Sequence, residues 1–197
     1  MNFAALQAEL AARGTDYLGT RGAAYLNFAR AQLDAAYAWP YLKTSATGTA
    51  GSGTITIADL GSVIVVQDTA NAFNALPLRS EVDLRVCYGD LTVAGTPCVY
   101  YLPSPTVLTA YPLGGTLRVA YVMEAPDLSG PTDTPLSPSK YHGLIVDMAV
   151  QMAYRDSDDH QLAEQLQAWI DRQLRAMVSD LFADQPMTET MLVGDDS

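Results

Sequence analysis

Positive charge is scarce in this chain: 11 Lys and Arg stand against 22 Asp and Glu, for a net charge of −11 over 197 residues. Nucleic-acid binding by phosphate neutralisation needs clustered Lys and Arg, and this chain has no such supply. Cysteine and histidine are equally thin, with two of each. Cys87 and Cys98 lack the spacing of a zinc ligand set. They read as small buried apolar residues, with a disulfide left open. No apolar run approaches the roughly 20 residues of a membrane-crossing helix. Glu9 falls where the apolar core of a leader would have to begin, so a signal peptide is not expected and synthesis in a reducing cytoplasm follows. What the chain does have is 49% hydrophobic residues against 17% charged ones, the balance of a folded protein with a core.

The negative charge is unevenly spread. Residues 1–53 carry +1, residues 54–138 carry −5 and residues 139–197 carry −7. Such a surface serves solubility, and it also suits a wall that a polyanion must pass without sticking.

Hydrophobic periodicity organises the chain around residues 137–182. Tyr141, Leu144, Ile145, Met148 and Met152 recur at helical spacing. Leu162, Leu166, Trp169, Ile170, Leu174, Met177 and Leu181 form a second, longer stripe. Ser157 or Asp158 is placed to cap the second helix. At the other end, Phe3, Leu6 and Leu10 predict a short helix closing near Gly14, and a second runs over about 21–38 until Pro40 stops it. Composition shifts at Lys43, and the segment TSATGTAGSG at 44–53 reads as small, polar and flexible. Strands are expected at 54–57, 63–67, 97–102, 107–111 and 116–122, with Gly114-Gly115 as a hairpin turn between the last two. Residues 80–86 permit either a strand or a helical turn capped by Ser80. Four prolines in residues 125–138 predict an extended surface crossover back to the helices. The fold class is therefore α+β: a helical bundle of residues 1–42 and 139–182, an inserted antiparallel β module at 43–138, and a C-terminal docking tail at 183–197. Met187, Met191, Leu192 and Val193 give that acidic tail an apolar centre and are the candidate partner-docking residues.

Catalytic and metal chemistry finds little support. The Gly-rich stretch has no Lys after its glycines and leads into a strand, so it is not a P-loop. An EF-hand beginning at Asp156 would put Gln161 at the turn glycine and Gln167 at the bidentate acid, so the acidic elbow reads as a helix start. His142 reads as a packed or hydrogen-bonded residue at a helix start. Tyr88, Tyr100, Tyr101, Tyr111 and Tyr121 would suit a sugar-binding face or ordinary core positions. No catalytic, cofactor-binding or metal residue is assigned, and no enzymatic activity is expected.

The order of four fragments resembles the head-to-tail connector (adaptor) proteins of tailed bacteriophages: YLNFARAQLDAAYAWPYL at 25–42, AGTPCVYYL at 94–102, LRVAYVMEAPDLS at 117–129 and PSKYHGLIVDMAVQMAYRDSDD at 138–159. The Gly-rich loop at 48–53 and the acidic last residues have no counterpart in that likeness. The resemblance implies a short helix at 80–86 and a structural virion protein. It further implies a homo-oligomeric, dodecameric ring in the neck, assembled in the bacterial cytoplasm. Such a ring would join the portal protein to a tail or stopper protein and form part of a DNA channel without sequence-specific binding. The alternatives are a stopper or tail terminator, a carbohydrate- or receptor-binding β module on a helical stalk, and a hydrolase.

Overall fold

The computed structural model describes residues 1–13, 21–49, 53–70 and 74–183. Among them are five α-helices and seven strands in two antiparallel sheets. They divide into two compact units, a helical one built from both ends of the chain and a β-rich one spanning residues 36–127.

In the helical unit, α1 (Phe3–Ala12) buries Phe3, Leu6 and Leu10. Its first N–H groups lack helical partners, and each finds another acceptor. Asn2 Oδ1 accepts from the Ala5 N–H at 2.9 Å, while Phe3 and Ala4 donate to the carbonyls of Asp133 and Pro131. Next, α2 (Gly22–Ala36) buries Leu26, Ala29 and Leu33 along one side. The central helix is α4 (His142–Asp156), with nine buried residues. The last, α5 (His160–Phe182), buries only Ala163, Ile170 and Met177, spaced seven apart. The expected broad stripe is thus a narrow seam, and Leu162 and Trp169 stand exposed beside it.

The elbow also differs from expectation. Asp158 takes a left-handed backbone conformation, φ 61°, which short polar side chains tolerate. Asp159, one residue later, caps α5 by accepting from the Leu162 N–H. Ser157 instead donates to the Tyr154 carbonyl and closes α4.

In the β-rich unit, β1 (Lys43–Thr49), β7 (Thr116–Met123), β3 (Leu60–Asp68) and β4 (Asn74–Leu76) lie in that order in one sheet. The other sheet has the order β2 (Thr54–Thr56), β6 (Val107–Tyr111), β5 (Val99–Ser104). One apolar cluster draws Val66, Leu117 and Val119 from the first sheet and Ile55, Leu108 and Ala110 from the second. The sheets therefore share a core. On the far side of the three-stranded sheet, α3 (Glu81–Tyr88) brings Leu84 against Tyr101 and Tyr111. Ser80 caps α3 by accepting from the Val82 N–H, which settles the ambiguous segment as helix. Before β1, the Trp39 ring meets Tyr37 edge-on and stacks on Tyr41.

Two expectations fail here for reasons of packing. Residues 43–49 are a strand, paired with β7 residue by residue from Lys43↔Val122 to Thr49↔Thr116. Their small side chains suit it: a Cβ on Gly48 would lie 2.7 Å from Cγ1 of Ile55. The Gly114-Gly115 pair is not a hairpin turn, because β6 and β7 belong to different sheets. It is a crossing between the sheets, following a cis Tyr111–Pro112 bond. At Gly114, φ is 155° and a Cβ would collide with the carbonyl oxygen of Gly95. Replacing Gly114 with Ala should therefore cost about 2 kcal/mol or more, read as a lower midpoint in thermal denaturation.

Candidate functional site

α4 carries three buried polar side chains, His142, Asp147 and Gln151. Each takes its partners from different parts of the helical unit. His142 Nε2 lies 2.9 Å from the Ser137 carbonyl, which can only accept, so Nε2 carries the ring proton. Nδ1 then accepts from the amino group of Met1 at 2.7 Å. Burial, with the nearby positive charge, pushes the His142 pKa below its ordinary value, although the Ser137 hydrogen bond opposes this. Asp147 receives the Arg13 guanidinium on one oxygen and the Trp169 indole N–H on the other, the latter at 3.0 Å. Gln151 donates to the Ala163 carbonyl at 3.1 Å and to Gln167 Oε1 at 2.6 Å. The imidazole is thus a buried mooring at a helix start, as its sequence position suggested.

The proline-rich crossover is held just as specifically. Asn27, on α2, places its amide against the backbone of Leu128. Its NH₂ donates to the Leu128 carbonyl at 3.0 Å, and its oxygen accepts the Leu128 N–H at 2.8 Å. Farther along, Asp133 Oδ2 accepts from the N–H groups of Ser129 and Gly130. Those backbone hydrogen bonds hold its carboxyl below the usual range. At the start of α4, Lys140 and Tyr141 both reach Asp180 near the end of α5, which lowers the Asp180 pKa through those hydrogen bonds.

Beside the α4–α5 seam lies an open groove of about 340 Å³. Its apolar wall is formed by Val150, Tyr154, Leu162 and Leu166. Arg13 and Asp147 close one end, where Glu9 also bonds the guanidinium at 2.7 Å. Burial opposes the Arg13 charge, but Glu9 and Asp147 outweigh it and raise the pKa above its ordinary value. The groove offers apolar contact area beside a compensated ion pair, and its described lining residues include no paired nucleophile and base.

The other candidate residues fall as follows. Met187, Met191, Leu192 and Val193 lie outside the described residues. Tyr100, Tyr101, Tyr111 and Tyr121 are buried, so they fill cores and do not line a face for sugars; Tyr88 is exposed. Cys87 and Cys98 are free thiols and exposed, against the expectation of burial, because their neighbours Leu84 and Tyr100 take the core positions. No group of His, Cys, Asp and Glu among the described residues could hold a metal ion. None of their helices is long and apolar enough to cross a membrane. The polar ties made by Arg13, Asp147 and Trp169 had no sequence signal beyond an Asp and a Trp at helical positions.

A family model described as SU10 adaptor protein matches residues 1–191. No curated protein matches the chain.

Replacing Asn27 with Ala strands both Leu128 backbone groups and should lower stability by about 2 kcal/mol in urea denaturation. His142 generates a pH dependence of definite sign. Its folded pKa lies below the unfolded value near about 6.5, so the unfolded chain binds the proton first as pH falls. The contribution is complete above that value and is lost progressively below it. Stability measured at pH 7.5 and 5 should fall less in His142→Gln, which keeps an N–H for Ser137.

Proposed function

Because the chain belongs to the SU10 adaptor protein family, a family of bacteriophage head-to-tail adaptors, we propose that it assembles as a ring, dodecameric by its resemblance to other adaptors, beneath the portal. Membership makes it a structural protein of the virion neck, in a class that is not enzymatic. In the proposed assembly, the ring joins the portal to a tail or stopper protein, and DNA crosses its channel without sequence-specific contact. The helical unit supplies the bundle, the β-rich unit is its insertion, and the tail beyond α5 is the docking segment through Met187, Met191, Leu192 and Val193.

The observation that carries the assembly reading is the narrow seam of α5. A 23-residue helix that buries three residues leaves most of its surface for other contacts. Leu162, in the wall of the groove, and Trp169, beyond its indole hydrogen bond to Asp147, leave large apolar area exposed that a neighbouring subunit could cover. The charge of −11 supports the channel reading, since acidic walls repel phosphates and do not trap them.

Negative-stain images of the protein alone and mixed with its portal should show rings; absence of rings in both would sink the proposal. Deleting residues 184–197 should leave the circular dichroism spectrum unchanged while weakening assembly onto the portal by about tenfold or more. Unchanged assembly would remove the docking role from the tail.

A further inference from the structure

One edge of the four-stranded sheet is long and has no strand partner among the described residues. β1 ends the strand order, and among the described residues no strand pairs with its outer side. Other strand edges are short or protected: β2 and β4 have three residues each, and the β5 edge exchanges hydrogen bonds with Pro77 and Arg79. β1 has seven residues and no proline, so it presents a row of backbone donors and acceptors away from β7.

The two strands at this end of the sheet carry bases and no acid, in a chain that is acidic as a whole. β1 and β7 together contain Lys43 and Arg118 and no acid. Arg118 is exposed, with Thr47 opposite it on β1 and Gln67 opposite it on β3. The C-terminal residues 184–197 carry four acids and no base. Within them, MTETMLV at 187–193 has the length of β1, contains neither Gly nor Pro, and is rich in Thr, Leu and Val or Met. Such a segment meets the requirements of an added strand.

We propose that residues 187–193 of a second copy add as a strand to the outer edge of β1. This rests on the ring reading above and names the surface that receives the tail. Donor and acceptor are different surfaces, so the contact is heterologous and propagates head to tail until rotation closes it. Main-chain hydrogen bonds supply the affinity, and the exposed Arg118 adds attraction to the acidic tail.

Hydrogen–deuterium exchange on the full chain, at dilute and at assembling concentrations, tests this. Assembly should slow the outward-pointing amides of residues 43–49, those not already bonded to β7, by about tenfold. Thr190→Pro and Met191→Pro, made separately, remove N–H groups that point to opposite sides of a strand, so at least one should abolish the slowing. Exchange in β5 and β6 should not change in either variant. An isotopically labelled variant chain keeps its own β1 and should regain protection when wild-type chains are added. Rings that form without protection of 43–49, or with protection that neither proline affects, overturn this contact and leave the ring reading standing. Protection that is independent of concentration assigns the edge to the chain's own tail and overturns the second-copy contact. Failure of the wild-type chain to assemble, alone or with portal, overturns both.

Discussion

Burying polar side chains on a central helix constrains everything packed around it. His142, Asp147 and Gln151 are all buried on α4, and each would cost about 1–3 kcal/mol, or more for the carboxylate, if left without partners. Their partners come from the crossover, from the end of α1 and from α5. Apolar packing alone would let those elements slide or rotate with modest loss. The hydrogen bonds admit one register, because a slip of one residue takes a donor away from its acceptor. The helical unit is thus specified by a few polar contacts laid over an apolar core.

The same logic reaches the crossover. A segment with four prolines cannot satisfy its backbone groups by regular structure, so side chains must do it. Asn27 serves Leu128 through both halves of its amide, and Asp133 serves Ser129 and Gly130. In return, the crossover's carbonyls complete the first turn of α1. Segments distant in sequence thereby close one another's unsatisfied ends.

The β-rich unit solves a different problem, the joining of two sheets over one core. Small residues make close approach possible at Gly48, and a left-of-ordinary backbone at Gly114 carries the chain from one sheet to the other. The strand order that results leaves β1 as an edge, and β1 with its neighbour β7 carries bases and no acid. For a head-to-tail adaptor, the features that matter are surfaces of this kind: a groove beside a narrow helix seam, a strand edge with no partner strand among the described residues, and an acidic composition. None needs the convergent acid–base geometry of an active site.

Periodicity alone determined the helices α1, α2, α4 and α5 and the strands β2, β3, β5, β6 and β7, because hydrophobic spacing is a local consequence of burying one side of an element. It also made the absence of a P-loop or EF-hand legible, since those sites need fixed residues at fixed spacing. Composition misjudged residues 43–49, whose Thr, Ser, Ala and Gly resemble a loop until β7 lies alongside them. It misplaced Gly114-Gly115, because a turn's residues do not say which sheet the next strand joins. Periodicity set Leu162 and Trp169 in the apolar stripe of α5, yet both are exposed, since an apolar residue on a helix shows its spacing but not whether a neighbour covers it. Asn27 was visible in the sequence as one Asn in a helix, but its partner lies 101 residues away. Local pattern is carried by bonds along the chain, whereas strand order, buried polar partners and exposed edges depend on distant segments meeting, and only the tertiary structure decided those.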